Sequence, residues 1–352
     1  MENKSIEVIL GNSNRRFSGV TSTMLRVLEH HKYKIGIAVM GKHHLPADVT
    51  SISFWKCVKL CRSTLPNGKF RTFHARRNNE VIQALILKRI FKAKIKIIFT
   101  STAQREHTWI TRWLIRQVDC LVATCSGAAT VLKREPDAMI PHGVDLNTYR
   151  IPDEGKKAAW ESLGYPGEYG IGIFARVRQQ KGIGILVDSM IPIMKEDPSP
   201  TILIAGETTK SHEKFVADLK EKIHSAGLEK RILFLGKVHY AEEVPKLMRG
   251  LSIVTALSTI EGFGLPVLEA MASGCVVVAS RTGAWEDIIV PDKHGLLVPC
   301  NDVKAAHEAL KKLPSNSSSL EKMGIKGRDR ITEGFTIENE ARSLLELYKS
   351  VQ

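Results

Sequence analysis

The sequence predicts an α/β protein of two domains, each a series of βα repeats wound around a parallel sheet. Three observations carry this. The chain has 352 residues, more than a single hydrophobic core usually serves, so two domains are the default expectation. Short apolar runs alternate with longer amphipathic stretches along the whole length, the pattern of parallel strands joined by crossover helices. A segment rich in Gly, Pro and charge, residues 150–168, separates one βα series from the next.

In the first series, strands are expected at 6–10, 34–40, 94–100, 120–125 and 138–141, with helices between them. Two of these helices read at 21–30 and 106–117, the latter with Trp109 and Trp113 one turn apart. The second series places strands at 169–175, 201–206, 231–236, 251–256, 275–280 and 295–299. Residues 336–352 carry apolar side chains at helical spacing after the second series is complete, and are expected as a closing helix that packs back on the first domain. The domains are thus expected at 1–160, with 336–352 returning to it, and at 161–335. The only low-complexity patch is SNSSS at 315–319.

Composition narrows the class. Hydrophobic residues at 43% and charged residues at 25% exclude a disordered chain. The first residues lack the basic head and long apolar middle of an export signal, and no apolar run approaches the roughly 18 residues that cross a bilayer as a helix. A cytoplasmic protein that touches a membrane without spanning it is expected. Six cysteines without paired CxxC spacing support neither a zinc site nor a disulfide framework. Cys57 and Cys61 stand one helical turn apart. The net charge is +14, and residues 1–150 account for it, with about 25 Lys/Arg against about 10 Asp/Glu. Such a field attracts nucleic acid, anionic lipid headgroups or a phosphorylated substrate. No recognition helix, aromatic RNA-binding motif or zinc finger accompanies it, which argues against nucleic acid.

The segment 258–280, STIEGFGLPVLEAMASGCVVVAS, carries the most chemistry. Glu261 and Glu269 are separated by seven residues, with Gly262, Phe263, Gly264 and Leu265 at a turn that opens a helix. Such a turn presents free backbone N–H groups to a phosphate or a sugar hydroxyl, and a carboxylate accepts two hydrogen bonds at once from vicinal hydroxyls. Either Glu alone would pass for a solvated carboxylate; the combination is specific. At 171–182, IGIFARVRQQKG, a strand ends in a loop with Arg176 and Lys181, two cations placed to neutralise a diphosphate leaving group. Arg178 is a third. At the first strand–helix junction, Ser18–Gly19 precedes a helix, and Gly19 permits close approach of a ligand to the backbone.

These residues resemble the retaining family 4 glycosyltransferases. Glu261 and Glu269 match the family's E-x7-E signature, and Arg176 with Lys181 its G-R-x4-K-G loop, with Ala175 in place of the usual Gly. The Ser18–Gly19 junction has one glycine where family members often carry two. IPHGVDLNTY at 140–149 resembles the segment closing the first domain, with His142 where Asn is common; Gly143 supplies a turn and Asp145 can cap the next segment. The resemblance covers nearly the whole chain. It implies the GT-B fold, two Rossmann-like doubly wound domains facing a central cleft, the second holding the nucleotide sugar and the first the acceptor. By the same resemblance Glu261 faces the transferred sugar and Glu269 the donor ribose. Gly19, Gly262, Phe263, Gly264 and Leu265 contact the donor, and Arg176 and Lys181 the departing phosphate. Many family members carry a His at the end of a middle strand of the first domain, where Phe99 stands here, so His74 and His107 are the alternative imidazoles.

Within the family, the first half, including SGVTSTML, HARRNNE and FTSTAQREHTWITRWLIRQVD, is similar to the bacterial lipopolysaccharide core mannosyltransferases. That implies transfer of mannose from GDP-mannose to an anionic glycolipid, the lipid A–Kdo inner core, at the inner leaflet, with Arg15, Arg16, Arg76, Arg77 and Arg105 on the acceptor side beside His74 and His107. The acidic pair is assigned to hydroxyl binding rather than to a nucleophile, so front-face attack is expected over double displacement. No DxD-type motif stands by the donor loop, so no metal or other cofactor is expected. The alternatives are another GT-B enzyme on sugar nucleotides, an epimerase or a transferase with a different acceptor, and a basic nucleic-acid-binding protein.

Overall fold

The computed structural model describes residues 5–15, 17–313 and 318–352. The chain divides into two compact units, Met1–Gly143 with Ile337–Gln352, and Val144–Thr336. Arg16 and most of the SNSSS patch lie outside the described residues.

The first unit holds a seven-stranded parallel sheet of β1 (Val8–Gly11), β2 (Ile37–Met40), β3 (Ser51–Ile52), β4 (Arg71–Ala75), β5 (Ile95–Ser101), β6 (Cys120–Ala123) and β7 (Ala138–Met139). Its order is β3-β2-β1-β4-β5-β6-β7. The crossovers are α1 (Gly19–His31), α2 (Phe54–Cys61), α3 (Asn78–Arg89), α4 (Trp109–Ile115) and α5 (Ser126–Thr130). The second unit has a six-stranded sheet of β8 (Tyr169–Phe174), β9 (Pro200–Ala205), β10 (Ile232–Gly236), β11 (Leu251–Ala256), β12 (Val276–Ser280) and β13 (Gly295–Val298). The order there is β10-β9-β8-β11-β12-β13. Around it lie α6 (Gly155–Ser162), α7 (Ile183–Glu196), α8 (Glu213–Ser225), α9 (Glu243–Gly250), α10 (Leu265–Ala272), α11 (Trp285–Ile288), α12 (Val303–Lys311) and α13 (Ser318–Gly334). Each unit is a doubly wound Rossmann-like domain, and in each the strand order reverses once, at β1/β4 and at β8/β11. In such sheets ligands bind beyond the carboxyl ends of the strands at that reversal.

The last helix, α14 (Ile337–Val351), belongs to the first unit. Its Ile337, Ala341, Leu344 and Tyr348 join Met24, Val27 and Leu28 of α1 and Val8, Leu10 and Val39 of the sheet in one buried cluster. The second unit has its own core, with Ile171 and Ile173 of β8, Ile202 and Ile204 of β9, and Leu186, Val187 and Met190 of α7.

The unit boundary falls at Gly143/Val144, not at 160/161. Residues 150–168, expected as a linker, contain α6, whose Ala159 and Trp160 are buried. Trp160 lies so close to β8 that a Cβ on Gly170 would stand 2.2 Å from its ring. The Gly and Pro of this stretch punctuate a short packed helix rather than a free tether. Two strands escape the periodicity reading, β3 and β4. Strand β4 pairs with β1 and β5 in mid-sheet, yet its sequence RTFHA interrupts the apolar run. Arg71 is accommodated because Nε donates to Ile6 O at 2.9 Å and Nη1 to Ser63 O at 2.6 Å. The helix expected at 106–117 is shorter, Trp109–Ile115, and buries Thr111, Leu114 and Ile115 while both tryptophans face outward.

Candidate active site

In the second unit, the loops leaving β8 and β11, the two strands at the order reversal, converge. Lys181 follows β8 and Glu261 follows β11, and Lys181 Nζ meets Glu261 Oε2 at 2.5 Å. Both side chains are largely but not wholly covered, with exposures of 14% and 21%, so the pair is reachable by a ligand. Thr259 N donates to Gln180 O at 3.0 Å and ties one loop to the other. Gly182 ends the Lys181 turn with φ of 71°, and a Cβ there would lie 2.0 Å from Leu257 O. Only glycine lets this loop lie against the end of β11. Arg176 is exposed on the same loop, and Arg178 is half-buried, its Nε without a partner among the described residues.

Gly264 stands at the N-cap of α10 with φ of 87°, and a Cβ would fall 2.2 Å from Trp285 Nε1. That indole donates to Gly264 O at 3.3 Å and is itself buried. Gly262, Phe263 and Gly264 are thus held by packing in a tight turn, and Leu265 opens the helix. No side chain among the described residues caps α10; Pro266 has no N–H and Val267 N donates to Gly264 O at 3.1 Å, so Leu265 N is the first-turn donor left to a ligand or solvent. Glu269, the fifth residue of α10, is fully buried. Tyr240, in the loop after β10, donates its hydroxyl to Glu269 Oε1. The spacing of acids and glycines gave no sign of Tyr240; a tyrosine in a loop beyond a strand's carboxyl end was the only signal available.

In the first unit a polar cluster occupies the equivalent place, beyond β1 and β4. Arg77 Nη1 donates to Glu80 Oε1 at 2.7 Å and Nη2 to Thr21 Oγ1 at 2.9 Å and Ser18 Oγ at 3.2 Å. Arg76 N donates to the other oxygen of the fully buried Glu80 at 2.8 Å. Asn79 Nδ2 reaches Ser13 Oγ at 2.8 Å. Gly19 opens α1, and among the described residues nothing lies within 4 Å of where its Cβ would stand. Arg15 and Arg105 are exposed. His107 is half-buried, and burial chiefly, then Arg112, lowers its pKa; its Nε2 has no partner among the described residues.

Two sequence expectations change here. His74 is not an acceptor-facing imidazole: it is fully buried, its Nδ1 meeting Tyr348 Oη and its Nε2 Thr100 Oγ1, both at 2.7 Å. Burial holds its pKa well below the ordinary histidine range. Arg77, expected on the acceptor side, is engaged as the tie between α1 and α3, through Ser18, Thr21 and Glu80. His142, whose spacing left its role open, meets Glu340 Oε1 at 2.8 Å, and the other oxygen of Glu340 accepts from Gly143 N at 2.8 Å. Asp145 caps the turn after it, accepting from Asn147 N at 2.9 Å and Thr148 Oγ1 at 2.5 Å.

Among the described residues no group of three or more His, Cys, Asp or Glu could hold a metal ion. The cysteines are all free, with Cys57 and Cys61 buried on α2 and their sulfurs 3.9 Å apart.

Two Rossmann-like domains, one with a Lys–Glu pair and a helix without a side-chain cap at its strand-order reversal, fit the GT-B class of enzymes that act on sugar nucleotides. Residues 157–330 match the family model described as glycosyl transferases group 1. The chain is 36% identical to the lipopolysaccharide core biosynthesis mannosyltransferase LpsB of Rhizobium meliloti, over 99% of this chain and 98% of that protein. The crystal structure of the C-terminal domain of the group 1 glycosyl transferase LpcC from Francisella tularensis covers 55% of this chain and 99% of its own, at 38% identity and a TM-score of 0.53. Anabaena Alr3699/HepE in complex with UDP and glucose has a TM-score of 0.81 over 98% of this chain and all of its own, at 17% identity. The protein belongs to the group 1 glycosyl transferases and is an enzyme of sugar transfer.

Proposed function

We propose that the protein is a retaining, metal-independent mannosyltransferase of family 4. It moves mannose from GDP-mannose to the lipid A–Kdo inner core of lipopolysaccharide at the inner face of the membrane. The observation that carries this reading is the identity to LpsB across both units, the acceptor-binding half included. In the second unit, Glu261 binds hydroxyls of the transferred sugar and Glu269 those of the ribose. The turn Gly262–Leu265 and the N-terminus of α10 receive the diphosphate. The bond from the anomeric carbon to the diphosphate oxygen breaks as the acceptor oxygen attacks from the same face. The acceptor proton passes to that departing oxygen, and Arg176 and Lys181 stabilise its charge. The salt bridge to Glu261 keeps Lys181 extended toward this place before the donor arrives. Arg15, Arg76, Arg105 and His107 serve the acceptor, and Gly19 the donor.

The test is product release with GDP-mannose, UDP-glucose, UDP-galactose and ADP-heptose, each with a lipid A–Kdo acceptor and with EDTA throughout. GDP-mannose is expected to be consumed only when acceptor is present, at an unchanged rate in EDTA. Turnover without acceptor would point to an epimerase or hydrolase, and preference for another donor or rescue by magnesium would overturn that part of the reading.

A further inference from the structure

The tryptophans of α4 and the helix ends beside them form a surface that the sugar-transfer site does not use. Trp109 is 77% exposed, Ile110 44% and Trp113 45%. Their helix is already anchored to the unit by Leu114 and Ile115, so the indoles are not needed for its packing. The guanidinium of Arg89, at the end of α3, lies 5.9 Å over the Trp113 ring. The next residues, Ile90, 67% exposed, and Phe91, carry the surface on to α2, where Phe91 meets Phe54 at 5.9 Å and Trp55 at 5.5 Å between ring centroids. Trp55 is 68% exposed. The result is a contiguous exposed aromatic patch around the C-terminal end of α3, of the kind that a soluble protein does not leave uncovered without a use.

Its surroundings are cationic. Lys56, Lys59 and Arg62 stand exposed on α2 and at its end, Lys92 and Lys94 just past α3, and Arg116 at the end of α4. The acids on either side of α4 are already engaged, Asp119 by Lys88 at 2.6 Å and Glu106 by Arg112 at 2.9 Å. Indoles among lysines and arginines match the interface of a bilayer with anionic headgroups, where the rings sit at headgroup depth and the cations neutralise the surface. A second copy of the same face would set like charges against like, which disfavours a symmetric dimer there. We infer that this aromatic and basic face, made by α2, the end of α3 and α4, is the surface by which the protein docks on an anionic lipid bilayer. The inference rests on the proposed membrane-bound acceptor and adds the residues that reach the membrane.

The experiment is co-sedimentation with vesicles of phosphatidylcholine alone and of phosphatidylcholine with phosphatidylglycerol, free of lipopolysaccharide and nucleotide sugar. Wild-type protein is expected to bind the anionic vesicles in preference. The double variant Trp109→Ser with Trp113→Ser, and Trp55→Ser separately, should each reduce that partitioning, the double variant by about tenfold. Lys56→Gln with Lys59→Gln and Lys92→Gln should abolish the preference for anionic lipid. All should retain wild-type turnover on a deacylated, water-soluble acceptor, which also shows that they fold. Tryptophan emission of the wild type should be quenched by brominated lipid. Undiminished binding of the tryptophan variants, absence of quenching, equal binding to neutral vesicles, or a dimer that these variants dissolve would each overturn the inference. Vesicle binding without mannosyl transfer would overturn the proposed reaction and leave the surface standing; transfer without vesicle binding would do the reverse.

Discussion

Glu269 is a fully buried carboxylate that accepts a hydrogen bond from the hydroxyl of Tyr240, a residue itself 37% exposed. A ribose hydroxyl that bonds Glu269 at Oε1 takes the place that this hydroxyl holds. Tyr240→Phe then has effects of opposite sign on the free protein and on donor binding. Without donor, the carboxylate loses a hydrogen bond to a charged group, worth about 1 to 2 kcal/mol at a site with partial solvent access, so the melting temperature falls. With donor, the competitor is gone, and KM for the nucleotide sugar falls by about two- to tenfold. Glu261→Gln is the contrast. It cannot form the ion pair with Lys181, and turnover is expected to fall about tenfold or more while the fold persists. Steady-state kinetics with thermal unfolding decides both; a Tyr240→Phe enzyme with raised KM would assign the tyrosine to donor binding instead. Glu261 and Glu269 were legible in the sequence because they lie on one turn and one helix, where chain spacing sets their relation. Tyr240 was not, because 29 residues separate it from Glu269 and only the sheet order brings them together.

Helix α14 is fixed to the first unit by polar contacts as well as by its apolar face. His31 Nε2 meets Ala341 O at 2.7 Å, His74 meets Tyr348, and Glu340 holds His142 and Gly143. Burial lowers the pKa of His31 and, much further, that of His74, and it pushes the Tyr348 hydroxyl up to about 12. The folded unit keeps the two imidazoles neutral where the unfolded chain protonates them near the ordinary value of about 6.5. The unfolded state therefore binds more protons below that pH, and stability is full above it and lost as pH falls. The slope is at most about 1.4 kcal/mol per pH unit for each imidazole. Urea unfolding followed between pH 7.5 and 5.5 should show the first unit weakening on acidification, and His74→Asn should flatten part of the slope. A profile unchanged by His74→Asn would remove this account. The helix itself could be read from its apolar spacing. The histidine that its tyrosine meets could not, because an isolated His in a sequence looks alike whether it is buried in a sheet or set at a ligand.

Across the whole molecule, the excess of positive charge lies in residues 1–150, whereas the Lys181–Glu261 and Tyr240–Glu269 pairs lie in the second unit. Attraction between exposed charges is screened beyond a Debye length of about 8 Å at physiological ionic strength. Rising salt should therefore raise KM for a lipid-borne anionic acceptor much more than KM for the nucleotide sugar. Equal loss of both would contradict the division of labour between the units. The class of fold, the series of strands in the second unit and the E-x7-E segment were determined by the sequence alone. They depend on apolar periodicity and on groups close along the chain, which local geometry fixes. The tertiary structure alone decided that β4 runs through the first sheet despite Arg71 and His74, because distant carbonyls and hydroxyls satisfy those polar groups. It alone moved the unit boundary to Gly143/Val144, since Trp160 is buried against β8 and its neighbour α9. And it turned Trp109 and Trp113 outward: helical spacing shows that two residues share a face, but only the packing of the rest of the chain determines whether that face meets the core or the solvent.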